Sequence, residues 1–283
     1  MRQSGMAAAA MAAGAVAGRV GGAEPAAAEL PKIKLGPLEV SRLILGSNPF
    51  FGFAHQPGNV GDLMNAYYTD DRIMAALDEA AAHGITAVAA PPFKRWIDLY
   101  KRYLDRGGKL RIWLSQPDGP PEGMKDEIAL SVKAGARAVF VQGHRVEQQF
   151  EAGTFDVARG WVEHAKSLGV VAGLAAHRPD VHLEAERRGF PADFYFQCFY
   201  NVAHADHYVD EDRTKAVATI RQVAKPVIGY KILAAGRNQA VESFEFAFRH
   251  IRPKDGVCVG VFPKDQPDQI AQNAALVRRF SAV

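Results

Sequence analysis

From residue 30 onward, short apolar runs alternate with longer segments whose apolar positions recur at helical spacing. The runs at 42–46, 85–90, 111–115, 138–142, 170–175, 194–199, 226–230 and 256–261 are rich in Val, Ile, Leu, Phe and Ala. Their length and lack of polar alternation predict strands buried on both faces. The segments at 70–83, 95–106, 122–134, 154–168, 180–188, 210–224, 238–250 and 267–280 predict amphipathic helices. Gly84, Gly107, Gly135, Gly169 and Gly189 each follow such a segment, and glycine closes a helix in the left-handed conformation at little cost. Eight strand and helix units in about 250 residues, five of the helices closed by glycine, predict an α/β fold of the (β/α)8 TIM-barrel type. Upstream, Ile33-Lys-Leu35 and Leu38-Glu-Val40 flank Gly36-Pro37 and predict a small N-terminal β-hairpin. A doubly wound open sheet is the alternative, but no G-x-G-x-x-G follows the first strand. The expected organisation is one barrel domain over 30–283, preceded by a distinct segment at 1–29.

That first segment does not share the barrel's pattern. Arg2 precedes a weakly apolar Ala/Gly run at 6–18, and small residues follow it, as in a secretory signal peptide. An exported, periplasmic protein is expected; a disordered Ala-rich tail on a cytoplasmic protein is the alternative. No stretch predicts a permanent membrane span. The 283 residues are 48% hydrophobic and 23% charged, and the net charge of +3 is too small for a nucleic-acid footprint. The partner expected is therefore a small-molecule substrate. Cys198 and Cys258 fall in predicted strands and read as small core residues.

In such a barrel, chemistry gathers where the strands end. Those ends offer Asn48 with an aromatic loop carrying Phe50, Phe51, Phe53 and His55, then Lys94, Gln116 with Asp118, and Gln142 with His144. They continue with His177-Arg178, Gln197 with Asn201, Tyr230-Lys231 and Lys264. This rim is rich in imidazoles, ammonium groups and amides and poor in carboxylates. His144 reads as an acid/base group because imidazole titrates near neutrality. Lys231 can neutralise a phosphate, orient a carboxylate or, if desolvated, form a Schiff base. Asn48, His55, Gln116 and Arg178 are expected to touch substrate. The histidines stand on separate loops without a short-spaced ligand pair, so no metal is expected; His204 and His207 read as a solvated loop.

Four segments resemble the aldo/keto reductases. Leu35 to Gly46 is similar to that family's opening hairpin and first strand, and Gln197-Cys-Phe-Tyr-Asn201 to its sixth-strand Q-x-x-Y-N. Ile228 to Gly236 resembles its seventh strand, and Pro263-Lys264 with Pro267 to Asn273 its adenine-nucleotide corner. The resemblance implies a nicotinamide cofactor, NADP or NAD. Gln197 would meet the carboxamide, Tyr230 would stack on the ring, and Lys264, Gln272 and Asn273 would hold the adenosine end. It also implies a catalytic tetrad of Asp, Tyr, Lys and His, in which the Tyr protonates the carbonyl as hydride arrives. Here Ala89 or Ala90 stands at the Asp position, no Tyr occurs in 91–95, and Gln116 replaces the Lys; only His144 matches. Ala175-Ala176 replaces the Ser-Asn pair, and Gln269 replaces an Arg that often meets the ribose phosphate.

The reading that follows is a diverged, reductase-like barrel acting on a small carbonyl or sugar-like compound. His144 and Lys94 or Lys231 would stand in for the missing Tyr. The alternatives are a cofactor-independent lyase, isomerase or hydratase on a polar sugar-derived substrate, with His144 as acid/base and His177, Arg178 and Lys231 stabilising charge, and a non-catalytic ligand-binding barrel.

Overall fold

The computed structural model describes residues 29–201 and 209–281; the N-terminal segment and the His204/His207 pair lie outside them. The expected hairpin is present as β1 (Lys32–Leu35) and β2 (Leu38–Ser41), antiparallel, with Gly36 in the left-handed region at φ 57°. Eight strands follow: β3 (Leu43–Gly46), β4 (Ala87–Ala90), β5 (Ile112–Ser115), β6 (Ala138–Val141), β7 (Val171–Ala176), β8 (Phe194–Cys198), β9 (Val227–Tyr230) and β10 (Gly256–Gly260). They pair in chain order, all parallel, and β10 returns to β3 to close the barrel.

Between the strands run α1 (Val60–Tyr67), α2 (Asp70–Ala82), α3 (Lys94–Asp105), α4 (Met124–Lys133), α5 (Gly143–Glu151), α6 (Asp156–Ser167), α7 (Pro179–Arg187), α8 (Asp210–Gln222), α9 (Ala240–His250) and α10 (Gln269–Ser281). Two of these are additional to the expected set. Helix α1 precedes α2 in the β3–β4 connection, and α5 precedes α6 in the β6–β7 connection.

Strand alternation sorts the apolar residues into two layers. Ile44, Ala87, Leu114, Phe140, Phe194, Phe196 and Ile228 fill the barrel, joined from the hairpin by Ile33, Leu35 and Val40. The hairpin thus closes the floor, and the opposite, C-terminal end is left as the mouth. Phe140 and Phe196 stack with ring centroids 3.9 Å apart. The bulk of Phe194 is accommodated by Gly173 on the neighbouring strand, where a Cβ would sit 2.8 Å from the Phe194 ring. The other rows, including Val88, Trp113, Val139, Leu174 and Tyr195, pack outward against the helices.

His182 on α7 is a core residue, 1% exposed and stacked on Tyr195 at 4.6 Å. Its Nε2 donates to the Phe196 carbonyl at 3.0 Å. Burial pushes its pKa down to about 4, and the Phe196 carbonyl opposes this only in part. The unfolded chain, with an ordinary imidazole near 6.5, then binds more protons than the folded one between those two values. Stability is fully present above about pH 6.5 and falls toward pH 4, by up to about 3 kcal/mol. Urea unfolding of the wild type and His182→Gln across this window is expected to show the steeper fall in the wild type. Equal slopes would remove His182 as the cause.

Candidate active site at the barrel mouth

The site is assembled around a carboxylate that the sequence reading did not single out. Glu147 lies on α5, 8% exposed, and reaches across to the residues that leave β7. Its Oε1 accepts from the backbone N–H groups of His177 (2.5 Å) and Arg178 (2.8 Å), at the N-terminal end of α7. Its Oε2 lies 3.0 Å from His177 Nδ1. Burial alone would raise this carboxyl. The hydrogen bond and charge of His177, with the two backbone donors, outweigh it and hold the group below its ordinary value. A buried carboxylate on Nδ1 fixes the ring and leaves Nε2 for exchange with a ligand.

Beside this dyad stand Tyr230, Lys231 and Cys198. The rings of His177 and Tyr230 meet edge to face at 5.8 Å. Lys231 follows β9 with φ 56°, a conformation costly for a residue with a Cβ. Its Nζ lies over the Tyr230 ring, 5.7 Å from the centroid. Burial pushes the Lys231 ammonium below its ordinary value, and the acidic groups of Cys198 and Glu147 offset this only in part. The Cys198 thiol is pushed up to about 12 by burial and donates to the Tyr200 carbonyl at 2.8 Å. It is therefore a protonated core thiol rather than a nucleophile. The Tyr230 hydroxyl is raised well above its ordinary value, first by burial.

His55 completes the rim from the β3 loop, also with a positive φ of 50°. Asn48 Nδ2 lies 3.3 Å from its Nε2, and its carbonyl accepts from Arg237 at 3.0 Å. Gln56 bonds the Ala235 carbonyl, so the β3 and β9 loops are laced together. The imidazole is held below its ordinary value by burial and by the cations Lys231, His177 and Arg237. At this exposed rim position the neighbouring cations favour the neutral ring at pH 7.

The other expected residues stand apart from this constellation. His144 is exposed on α5, its Nε2 3.1 Å from Gln148 Nε2. Lys94 begins α3 and pairs outward with Asp98 at 2.5 Å. The Arg178 guanidinium is engaged by Asp180 (2.7 Å) and Glu151 (2.9 Å). Gln116 follows β5, half-buried, its N–H donating to Ala90. Gln197 is fully buried; its Nε2 donates to the carbonyls of Cys198 (3.0 Å) and His177 (3.4 Å), and its Oε1 has no partner. Lys264 and Gln272 are exposed and Asn273 is buried at the separate β10–α10 corner. Gln269 caps the strand exit there, accepting from the Phe262 N–H at 2.8 Å. A cleft lined by His177, Cys198, Asn201, Asp212 and Lys215 opens beside the mouth. No cluster of three or more metal-ligating side chains occurs among the described residues, and none of their helices is long and apolar enough to cross a membrane.

Two solved structures from Pseudomonas aeruginosa, provisionally assigned as aldo-keto reductases, superpose on this barrel. Their TM-scores are 0.62 and 0.61 at 19% and 18% identity, over 90% of this chain and 96% of each of those chains. The fold is aldo/keto-reductase-like. A truncated 3-deoxy-D-arabino-heptulosonate 7-phosphate synthase from Thermotoga maritima shares the barrel more distantly, with a TM-score of 0.54 at 11% identity over 90% of this chain and 92% of that one. No protein-family model and no curated protein matches the chain.

The mouth of this aldo/keto-reductase-like barrel does not fit the nicotinamide end of the cofactor its fold implies. The Tyr230 face that would stack on the ring is overlaid by Lys231. The Gln197 amide is sealed at 0% exposure. Ala175 and Ala176, both buried, offer no polar side chain at the end of β7. The tetrad positions on β4 and β5 carry only Ala89, Ala90 and Gln116.

Proposed function

We propose that the chain is an enzyme acting on a small carbonyl or sugar-like substrate at the barrel mouth, by proton transfer and without a bound redox cofactor. The observation that carries this reading is the meeting of the Glu147–His177 dyad with Lys231, whose ammonium has no hydrogen bond or ion pair among the described residues. The residue types of the reductase tetrad (a carboxylate, a Tyr, a Lys and a His) recur here as Glu147, Tyr230, Lys231 and His177, wired differently. Burial raises the Tyr230 hydroxyl well above its ordinary value, which favours His177 for the acid/base role. Lys231, desolvated beside the dyad, is the group placed to engage the substrate carbonyl. Exposed rings at the β3 loop, led by Phe53 with Phe51 and Phe93 packed behind it, suit the apolar face of a sugar. The periplasmic location expected from residues 1–29 belongs to the same proposal, because free nicotinamide cofactors are scarce outside the cytoplasm.

The test is a turnover screen of trioses to hexoses, as aldoses, ketoses and their acids, with no cofactor added and then with NADPH or NADH. Conversion without cofactor is expected. It should fall about 10²–10⁴-fold in His177→Ala and less than about tenfold in His144→Ala, whose ring faces solvent. Conversion that requires NADPH or NADH would instead restore the reductase reading.

A further inference from the structure

We propose that Lys231 is a carbonyl-capturing nucleophile, forming an imine with a small aldehyde or ketone held at the barrel mouth. This deepens the reading above and rests on it. Among the surface and rim lysines, Lys32, Lys94, Lys101, Lys166, Lys215 and Lys225 each face a carboxylate within salt-bridge distance. Lys231 faces none. It is held over the Tyr230 ring instead, 5.7 Å from the centroid, with Cys198 and Glu147 close enough to act on its charge.

An ammonium stabilised by a carboxylate is a poor nucleophile; one desolvated without a counter-ion gives up its proton more readily and attacks as the free amine. The backbone argues in the same direction. The two non-glycine, non-alanine residues with positive φ in the described chain are His55 and Lys231, and the charge of Lys231 acts on His55. Strain at two facing rim positions is the kind of cost that persists where a side chain must be aimed.

The chemistry balances without any oxidant or reductant. The neutral Nζ forms a bond to the carbonyl carbon, and the carbonyl electron pair moves to oxygen, which takes a proton from Nε2 of the His177 imidazolium. The new C–N nitrogen then gives one of its own protons back to Nε2. The carbinolamine hydroxyl takes that proton and leaves as water as the nitrogen lone pair forms the C=N bond. Glu147 stabilises the imidazolium at each stage through Nδ1. The product is a protonated imine and one water.

The experiment uses the full chain with dihydroxyacetone or pyruvate as probe and sodium cyanoborohydride to reduce any imine to a stable amine, read by peptide mass mapping. Labelling of the Lys231 peptide is expected to exceed that of the peptides carrying Lys225 and Lys264 by at least about tenfold. It should vanish in Lys231→Met and persist in Lys94→Met. Labelling spread evenly over surface lysines, or no label at Lys231, would overturn the proposal. The wild-type map decides this by itself if Lys231→Met folds poorly. Saturation-transfer NMR with the same probes separates the two readings. Binding that is lost in His177→Ala, with no label at Lys231, refutes the imine and leaves the carbonyl site standing; absence of both binding and label refutes both.

Discussion

Glu147→Gln is expected to lower turnover at the mouth by about 10²–10⁴-fold, chiefly in kcat. The substitution keeps the shape and one acceptor. The Gln oxygen can still receive the N–H groups of His177 and Arg178 that Glu147 Oε1 binds now, so α7 should stay in place. What changes lies opposite His177 Nδ1, where a carboxylate oxygen stands at 3.0 Å. An amide NH₂ there turns Nδ1 into an acceptor and moves the proton to Nε2. The imidazole then presents the wrong nitrogen to the substrate, and nothing stabilises its cation. The folded-state effect on His177 is directly readable without a substrate. Long-range ¹H–¹⁵N spectra of the imidazoles should show the Nδ1–H form in the wild type and the Nε2–H form in the variant. An unchanged tautomer with unchanged turnover would show that Glu147 only anchors the helix. Glu147→Asp, which retracts the carboxylate by one methylene, should recover part of the spectrum and part of the rate.

This residue also marks where sequence reasoning stopped. The eight barrel strands were legible because a strand buried on both faces is a continuous apolar run, and glycines such as Gly84 and Gly169 punctuate the helices before them. Helix α5 was not. Its segment Gly143 to Glu151 opens on a glycine and has only Val146 and Phe150 as large apolar residues, so no helix is expected there from the sequence and its carboxylates go unnoticed. The same local fact affects His144. Because α5 begins one residue after the cap Gln142, His144 is carried onto an exposed face beside Gln148 rather than aimed into the barrel. His177 and Lys231 were legible as chemistry-bearing types at strand ends. Their partnership was not, since it depends on α5 crossing the end of β7, a tertiary contact that no local pattern encodes. Lys231 illustrates the limit in another way. Its options as phosphate, carboxylate or imine partner were all open from sequence, and burial without a counter-ion is what separates them.

The largest stability effect is expected at the opposite end of the barrel, where Asp255→Ala should cost about 3–5 kcal/mol. Asp255 is 0% exposed and fully committed. Its Oδ1 accepts from the Val227 N–H at 2.8 Å and from Arg252 at 2.8 Å, and its Oδ2 from the Arg252 backbone N–H and side chain at 2.8 and 2.7 Å. Arg252 in turn bonds the carbonyls of Val223 and Lys225, while Arg42 bonds the carbonyls of Asp255 and Arg252. These contacts join the starts of β9, β10 and β3, the seam at which the barrel closes. Removing the carboxylate leaves a buried Val227 donor and a mostly buried guanidinium without their acceptor, and each orphaned group costs its full desolvation. Asp255→Asn keeps one acceptor and should lose less, about 1–3 kcal/mol. Urea unfolding followed by far-UV circular dichroism measures both. A loss below about 1 kcal/mol for the Ala variant would mean that solvent reaches the seam and replaces the carboxylate. The mouth supplies the internal control: Lys231→Met removes a half-buried charge that has no hydrogen bond or ion pair among the described residues, and should leave stability equal or slightly higher. A site that gains stability when its central cation is removed is one whose cation is kept for chemistry rather than for the fold.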